Sequence, residues 1–272
     1  MQDEQRGFEN EIEDSGGTVL DRFRLDGRTA LVTGGGQGIG RALAHALGEA
    51  GAAVTVADLD LARAERVASE LQAKGISAFG LQADVSDQKQ VRDMVAAVVD
   101  HFGSLDIAFN NAGVNFNSAA EDTPLEEWDR TFAINLRGVF LCCQEQAKVM
   151  LPQGRGTIIN MASMSSIKVP HPQKQAAYNT AKAGVAHLTR SLACEWAARG
   201  VRVNALSPGL IQTDLLRSEA LKSLTTEWIK QIPMDRFGQV EDLQAAIVFL
   251  ASDGAKYMTG HNLVIDGGQS IW

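Results

Sequence analysis

Residues 29–40 read TALVTGGGQGIG, and RALAHALGEAG follows directly at 41–51. A short apolar run with β-branched residues, a glycine-rich turn and a helical pattern in this order predict a strand, a tight loop and a helix. Glycine permits positive φ angles and a close backbone approach, and the free N–H groups at a helix N-terminus bind phosphate. The stretch therefore predicts a nucleotide-phosphate loop, with a plain strand-to-helix connection as the alternative.

The glycines at 34, 38 and 40 follow the pattern G-x-x-x-G-x-G, so the third glycine of G-x-G-x-x-G is missing. Asp58 ends the next apolar run, AVTVAD, 18 residues after the last of these glycines. A carboxylate about 20 residues beyond such a loop binds the hydroxyls of an adenosine ribose and repels a 2′-phosphate. The loop offers Gln37 and no Arg or Lys, so no basic side chain is expected to face a 2′-phosphate there. The pattern therefore favours NAD over NADP. A strand-end or helix-capping aspartate is the alternative.

Short apolar runs alternate with longer amphipathic stretches from residue 28 onward. Strands are predicted at 29–33, 52–57, 76–82, 105–110, 156–162, 201–207 and 262–266, and helices at 39–50, 60–74, 87–102, 125–150, 175–199 and 239–252. Strands separated by helices in this way imply right-handed βαβ crossovers. We therefore predict an α/β fold with a doubly wound, seven-stranded parallel sheet and helices on both faces.

No break in composition divides residues 25–272, so a single domain is expected there. The first 20 residues carry six acids and one base, a net charge of −5 out of −8 for the whole chain. This predicts that residues 1–24 form an acidic, solvated tail or an oligomer-packing arm. Residues 208–238 interrupt the alternation late, which suggests a lid over a binding site. Its larger apolar residues include Leu215, Leu216, Leu224 and Trp228.

Composition and charge argue against several classes of function. Apolar residues make up 45% and charged residues 21% of the chain, as in ordinary globular proteins. No run approaches the roughly 18 apolar residues of a membrane span, and the first residues lack the layout of a secretory signal, so a cytoplasmic location is expected. The acidic balance and the lack of clustered Lys and Arg argue against nucleic acid. The three cysteines and five histidines show neither a disulfide framework nor metal-ligand spacing, so no metal is expected.

Tyr178 and Lys182 lie four residues apart in AYNTAKAG and so share one face of a predicted helix. An ammonium at that position would stabilise the phenolate and lower the pKa of the tyrosine from its usual value of about 10. The pair predicts a general acid/base that moves the proton of an alcohol. The alternative is an aromatic packing residue beside a solvated lysine.

Further motifs follow in a fixed order, and they are Asp84-Val85, NNAG at 110–113, Asn135, Ser163, Pro208-Gly209 and DGG at 266–268. Together the motifs resemble those of the short-chain dehydrogenase/reductase family, over about residues 25–272. The resemblance implies a Rossmann-like fold and catalytic roles for Asn135, Ser163, Tyr178 and Lys182. It also implies that the cofactor is bound by Gly34, Gln37, Gly38, Ile39, Gly40, Asp58, Asp84, Val85, Asn111, Ala112, Gly113, Tyr178, Lys182, Pro208, Gly209, Ile211 and Thr213.

In that family, the tyrosine exchanges a proton with the alcohol oxygen while hydride moves between carbon and nicotinamide. Ser163 would hold the substrate oxygen, Lys182 would lower the pKa of Tyr178 and reach the nicotinamide ribose, and Asn135 would widen its helix and hold a water. Ser163 could instead be a turn residue, and Asn135 an ordinary helix residue. The 15 residues from Ser163 to Tyr178 exceed the common family spacing, so a neighbour such as Ser165 could be mistaken for the catalytic serine. The strand that runs into Ser163 favours Ser163.

The substrate pocket is expected to be built from residues 114–117, 164–175 and the lid at 208–238. It would include Asn115, Met164, His171 and Gln173, whose polar members suit a hydroxylated small molecule. The sequence most resembles the branch of the family that handles sugars and polyols, such as sorbose reductases and gluconate dehydrogenases. This implies interconversion of a secondary alcohol and a ketone. A 3-oxoacyl thioester reductase, which would favour NADP, and a nucleotide-sensing protein without turnover are the alternatives.

Helices 125–150 and 175–199 carry apolar or small residues on more than one face, more than a single sheet face can cover. In the resembling family these helices pair across a two-fold axis, and the C-terminal strand region makes a second interface. We therefore expect a homotetramer of 29.2 kDa chains with Ser270, Ile271 and Trp272 near a neighbouring subunit. The alternative is that the apolar surface belongs to the core.

Overall fold

The computed structural model describes residues 17–213 and 225–271. Seven strands form a sheet in the order β3-β2-β1-β4-β5-β6-β7, and every neighbouring pair is parallel. The strands are β1 (Thr29–Thr33), β2 (Ala53–Asp58), β3 (Ala78–Gln82), β4 (Ile107–Asn110), β5 (Gly156–Met161), β6 (Val201–Pro208) and β7 (Asn262–Ile265). The predicted α/β fold with its seven-stranded parallel sheet is confirmed. The carboxyl end of each strand lies within one residue of its predicted position.

The longer helices follow the predicted alternation. They are α1 (Gly38–Glu49), α2 (Leu61–Gln72), α3 (Gln88–Phe102), α4 (Leu125–Phe132), α5 (Val139–Gln153), α6 (Ala176–Trp196) and α7 (Gln244–Ala251). A π-helix, Ala133–Gly138, joins α4 to α5. Short 3₁₀ helices occupy Leu20–Phe23, Ala120–Asp122, Met164–Ser166, Ala197–Arg199, Val240–Leu243 and Asp253–Ala255, and residues 225–229 are helical.

Aspartates begin the two helices that follow β2 and β3. Asp60 Oδ1 accepts a hydrogen bond from the Arg63 N–H at 3.3 Å, and Asp87 Oδ1 accepts one from the Gln90 N–H at 3.0 Å. Such caps bind N–H groups that the first helical turn leaves free. Because β2 ends only two residues before Asp60, the cap holds the first turn of α2 against the carboxyl end of β2.

The helices form a layer on each face of the sheet. Residues of α1, α2 and α7 belong to one buried apolar cluster, and residues of α3, α5 and α6 belong to the other. The strand order reverses between β1 and β4, which lie side by side although two strands separate them in sequence. In doubly wound sheets the ligand binds at the carboxyl ends of the strands beside this reversal.

Two predicted segments lie partly outside the described residues. Of the expected tail, residues 1–16 are not among them; of the expected lid, residues 214–224 are not, including Leu215, Leu216 and Leu224. Within 17–213 and 225–271, no helix combines the length and apolar character that crossing a bilayer requires. The same ranges hold no group of three or more His, Cys, Asp or Glu side chains placed to bind a metal.

Candidate active site

A cleft of about 920 Å³ lies at the carboxyl ends of the strands, beside the reversal of strand order. Three of the four candidate catalytic residues line it, namely Ser163, Tyr178 and Lys182. The candidate cofactor residues that line it are Gly34, Gln37, Gly38, Ile39, Gly40, Asp58, Asp84, Val85, Asn111, Ala112, Gly113, Pro208, Gly209 and Thr213. Ile211 lies outside the lining, and its side chain packs into the apolar cluster that holds residues of α1 and α7, so only its backbone is left for the contact that the resemblance implies.

The glycine-rich loop has the backbone geometry of a phosphate cradle. Gly34 and Gly38 have φ angles of +61° and +52°, which other L-residues rarely adopt. A Cβ on Gly40 would lie 2.1 Å from the Gly34 carbonyl oxygen, so no side chain fits there. The first residue before α1, Gln37, makes no side-chain cap, and the N-terminus of α1 opens on the cleft. The loop and helix therefore fit the pyrophosphate of a dinucleotide.

Asp58 lies at the end of β2 with both carboxylate oxygens held by the backbone. Oδ2 accepts from the Gly36 N–H at 2.9 Å, and Oδ1 accepts from the Asp60 N–H at 3.1 Å. Arg63 also lines the cleft, donates from Nη1 to Gln37 Oε1 at 2.8 Å, and pairs with Asp60 at 3.2 Å. The expectation that no basic side chain faces this end of the cleft is therefore wrong. Arg63 was missed because it lies in α2, outside the glycine loop.

Asn111 and Asp84 fix the neighbouring strand ends. Asn111 Nδ2 donates to the carbonyls of Thr33 and Gly34 at 3.1 and 2.9 Å, which ties the loop after β4 to the glycine loop after β1. Asp84 Oδ1 accepts from the N–H and the hydroxyl of Ser86 at 2.8 and 2.7 Å. These bonds hold two rims of the cleft in place.

Tyr178 and Lys182 share one face of α6, as predicted, and Tyr178 is hydrogen-bonded to the Ser163 hydroxyl. Lys182 Nζ donates to the Met161 carbonyl at 2.7 Å and lies 5.7 Å from the centroid of the Tyr178 ring. Burial raises the pKa of Tyr178 above its usual value, and the Ser163 hydrogen bond opposes this only in part. Burial also lowers the pKa of Lys182 to about 8.

The expected fall in the pKa of Tyr178 is therefore wrong for this structure. The physical reason is that burial of the phenol outweighs the interactions that favour the phenolate. The ammonium is directed at a backbone carbonyl, so it does not contact the phenol oxygen directly.

Asn135 lies in the π-helix and is completely buried. Its side-chain Oδ1 accepts from the Val114 N–H at 2.8 Å, and Nδ2 donates to the Val114 carbonyl at 2.7 Å. A Cβ on the adjacent Gly113 would lie 3.1 Å from this Oδ1 and 3.7 Å from Lys182 Nζ. Asn135 thus fixes the backbone of the loop beside Lys182 without lining the cleft itself.

Of the candidate substrate residues, Asn115 lines the cleft. Met164 is buried, and His171 and Gln173 lie outside the lining because they contact residues 225–231. Gln173 Oε1 accepts from Trp228 Nε1 at 2.8 Å, and the His171 carbonyl accepts from the Gln231 side chain at 2.8 Å. These two bonds hold the described part of the predicted lid against the loop that precedes α6.

Gln175 ends the segment 164–175 that was expected to line the pocket, but the sequence did not single it out. It is 6% exposed and accepts a hydrogen bond from Asn115 Nδ2 at 3.0 Å, while its own amide donates to Asn179 Oδ1 at 2.9 Å. It therefore joins the loop after β4 to the first turn of α6. Its position three residues before Tyr178, at the start of a predicted helix, is the signal that could have identified it.

The glycine loop, the strand-end carboxylate and the group of Ser163, Tyr178 and Lys182 place this chain among dinucleotide-binding α/β proteins. A family model described as enoyl-(acyl carrier protein) reductase matches residues 34–270. D-Threitol dehydrogenase of Mycolicibacterium smegmatis is 43% identical over 92% of this chain and 95% of its own length. The 3-oxoacyl-[acyl-carrier-protein] reductase FabG of Staphylococcus aureus is 43% identical over 89% of this chain and 97% of its own length.

A solved structure of a gluconate 5-dehydrogenase from Burkholderia cenocepacia, in complex with NADP and tartrate, superimposes with a TM-score of 0.87. It is 36% identical, and the match covers 94% of this chain and 100% of that one. The chain belongs to the short-chain dehydrogenase/reductase family. It is an oxidoreductase that acts on CH–OH groups with a nicotinamide cofactor.

Proposed function

We propose that this chain is an NAD-dependent dehydrogenase that interconverts a polyol or sugar derivative and its keto form. The observation that carries this proposal is the placement of Ser163, Tyr178 and Lys182 in the same cleft as the glycine loop and Asp58. It joins a proton-transfer group to a dinucleotide site, which is the pair of functions that alcohol oxidation requires.

The residues of the nucleotide half fit NAD. The glycine loop and the N-terminus of α1 would hold the pyrophosphate, and Asp58 would accept hydrogen bonds from the adenosine ribose. The Asp58 carboxylate at this end of the cleft disfavours a 2′-phosphate. When bound, the nicotinamide supplies the acceptor or donor of hydride.

The chain's own residues would move the proton. Ser163 would orient the substrate oxygen toward the Tyr178 phenol, which donates its proton to a ketone or, as phenolate, removes the proton of an alcohol. Lys182, with a pKa of about 8, exchanges a proton near neutral pH. Asn135 would fix the neighbouring Val114 backbone and so keep Lys182 beside the tyrosine.

A hydroxylated substrate is supported by polar groups on the substrate side of the cleft. The Asn115 amide lines it and is braced by Gln175. The threitol and gluconate dehydrogenases among the relatives are named for polyhydroxy substrates. The acyl-carrier-protein reductase relative is as similar in sequence as the threitol enzyme, so a 3-oxoacyl thioester reductase is the second candidate.

A panel of substrates separates the two candidates. Threitol, galactitol and gluconate are each assayed with NAD and NADP, and acetoacetyl thioester is assayed with NADH and NADPH, by the absorbance of the reduced cofactor. We expect turnover of at least one polyhydroxy compound with NAD. Turnover of the thioester with NADPH and of no polyhydroxy compound would contradict the proposal.

We also propose that the chain assembles as a homotetramer. A groove of about 560 Å³ lies between α5 and α6, and the exposed ring of Phe140 and the side chain of Leu188 line it. An apolar groove of this kind on two neighbouring helices suits pairing across a two-fold axis. Light scattering should give four times 29.2 kDa; a monomer mass at micromolar concentration would contradict it. Deleting residues 270–272 tests the role of the terminus, whose Trp272 lies outside the described residues.

A further inference from the structure

Beneath the cleft, two side-chain hydrogen bonds at consecutive residues of β5 join this strand to α6. The Met161 carbonyl accepts from Lys182 Nζ at 2.7 Å, and Asn160 Nδ2 donates to Thr189 Oγ1 at 3.0 Å. Lys182 and Thr189 are seven residues apart, so they lie on one face of α6, two turns and about 10 Å from each other. Two contacts at this separation oppose both a slide of α6 along β5 and a rotation of α6 about its axis.

The orientation of the Asn160 amide is set by its other neighbours. Its Oδ1 accepts from Asn110 Nδ2 at 3.0 Å and from the Cys143 thiol at 3.3 Å. Asn110 in turn exchanges hydrogen bonds of 2.7 and 3.1 Å with Gln146. Because residues of β4 and α5 donate to the Asn160 oxygen, its amide nitrogen is left to Thr189. Asn160, Gln146 and Thr189 are completely buried, so water does not replace these partners.

The same two elements carry the groups that would react. Ser163 lies two residues beyond the end of β5, and Tyr178 and Lys182 lie in the first two turns of α6. The position of α6 along β5 therefore decides whether the Tyr178 phenol meets the Ser163 hydroxyl. Asn160 and Thr189 do not line the cleft, so neither contacts a substrate or a cofactor that binds there.

We propose that Asn160 and Thr189 are positioning residues, whose hydrogen bond sets the position of α6 along β5 and thereby holds Tyr178 and Lys182 in place for proton transfer. The inference rests on the proposed dehydrogenase function, in which Tyr178 moves the proton. It deepens that function, because it assigns part of the rate to two residues outside the cleft. A bond that only stabilised the core would add to the free energy of unfolding and would leave the chemistry of the site unchanged.

A graded series of variants at position 189 tests this role. Thr189→Ser keeps the hydroxyl acceptor, Thr189→Cys keeps a weaker sulfur acceptor, and Thr189→Val keeps the volume without an acceptor. The serine and cysteine variants differ in one atom, so they decide the test if the valine variant does not fold. Thr157→Val is the matched control, because Thr157 is a buried threonine of β5 whose Oγ1 accepts from Arg202 Nη2 at 2.9 Å, near the end of the strand away from the cleft.

Steady-state kinetics with the alcohol that the native chain oxidises give the first readout. Thr189→Val should lose about 10- to 10²-fold in kcat, Thr189→Cys should lose less, and Thr189→Ser should stay near the native value. KM for the alcohol and Kd for NADH should change by less than about twofold, because position 189 lies outside the cleft. Thr157→Val should unfold at lower urea concentration and keep the native kcat. A native kcat in Thr189→Val, or an equal loss of kcat in Thr157→Val, would overturn the proposal.

A titration without substrate separates this inference from the proposed function. The chain has two tyrosines and Tyr257 is fully exposed, so in a Tyr257→Phe background the ultraviolet absorbance of ionised tyrosine reports on Tyr178. Burial raises the pKa of Tyr178, and the Ser163 hydrogen bond lowers it in part. When α6 shifts in Thr189→Val, that hydrogen bond weakens, so the phenol should ionise at a higher pH than in the parent chain.

An unchanged or lower midpoint of this titration would overturn the proposal, whether or not the chain oxidises an alcohol. A native chain that oxidises no alcohol, combined with the upward shift in Thr189→Val, would support the positioning role and contradict the proposed function alone.

Discussion

The two halves of the cleft are held together in different ways. In the nucleotide half, Asp58 at the end of β2 accepts from the Gly36 N–H at 2.9 Å, so a strand end fixes the loop directly. In the substrate half, Trp228 Nε1 donates to Gln173 Oε1 at 2.8 Å, so one connecting segment holds another. The sheet fixes the geometry of the nucleotide half, whereas the geometry of the substrate half depends on side-chain hydrogen bonds between segments that are distant in sequence.

The largest expected effect comes from Tyr178, where the two halves meet. Tyr178→Phe removes the phenol O–H and keeps the ring, so turnover should fall by about 10²- to 10⁴-fold. Because the nucleotide half keeps its own geometry, NADH binding measured by fluorescence titration should be retained. Tyr257→Phe changes the other, fully exposed tyrosine and should leave turnover unchanged. Retained turnover in Tyr178→Phe would show that another group moves the proton.

The Tyr178 phenol also makes the rates of oxidation and reduction depend on pH. Alcohol oxidation requires the phenolate, and burial raises the pKa of Tyr178. The rate of oxidation should therefore keep rising with pH above neutrality, while the rate of ketone reduction, which requires the phenol, should stay level in the same range. Rate profiles in both directions measure this, and an oxidation rate that levels off below neutrality would contradict it.

Lys182 gives the next largest effect, through stability. Burial lowers its pKa to about 8, from an ordinary value of 10.5. Below pH 8 the folded chain keeps a buried ammonium, which lowers the free energy of unfolding by about 3 kcal/mol. Between pH 8 and 10.5 the unfolded chain binds more protons than the folded chain does, so the folded chain becomes more stable as pH rises and this cost disappears. Lys182→Met removes this cost. The free energy of unfolding of Lys182→Met, relative to that of the native chain, should therefore be higher at pH 7 than at pH 10.

Urea unfolding at the two pH values measures this difference. The lost hydrogen bond to the Met161 carbonyl affects the variant at both pH values and cancels from the comparison. Lys256→Met removes an exposed lysine and should show the same relative stability at both. A Lys182→Met variant whose relative stability does not change with pH would argue against a buried ammonium.

Asp58→Asn tests whether charge at the end of β2 sets the cofactor preference. The variant keeps an Oδ1 acceptor for the Asp60 N–H, removes the negative charge and loses the acceptor for the Gly36 N–H, a loss that NAD and NADP share and that cancels from their ratio. The ratio of kcat/KM for NAD to that for NADP should fall by about tenfold, mainly because NADP improves. Asp93→Asn, on the exposed side of α3, should leave the ratio unchanged. Equal or better turnover with NADP in the native chain would contradict the NAD preference.

Trp228→Phe should have the smallest effect, confined to the substrate half. It removes the donor to Gln173 and keeps an aromatic ring, so KM for the alcohol should rise by about threefold, the scale of a single hydrogen bond. The Kd of NADH should not change, because the sheet holds the nucleotide half. Trp128→Phe, on the partly exposed face of α4, is the control. A matching loss of NADH affinity would show that the two halves are not independent.

The same contrast explains which parts of the site could be predicted from the sequence. Asp58 and the glycines could be placed because the carboxyl ends of parallel strands meet at one edge. Arg63 lies five residues after Asp58, in the first turn of α2. The aspartate at 60, a typical helix cap, was the signal that this turn begins directly beside the end of β2. Gln173 could not be placed, because its partner Trp228 lies 55 residues away and no local pattern encodes the pairing of two connecting segments. The Tyr178 pKa could not be predicted because burial is a property of the folded chain.

The π-helix Ala133–Gly138 limits how this chain can vary in length. A π-turn carries one residue more than an α-turn, so deleting one residue there would let α4 and α5 join as a regular α-helix. Because the wide turn takes up the extra residue within one rotation, α4 and α5 would keep nearly their present orientation, and the change would fall on the residues of the π-helix itself. Asn135 would lose its register with Val114. In related sequences, insertions and deletions should therefore be accepted in surface connections such as 154–155 and rejected within 133–138, even where substitutions there are accepted.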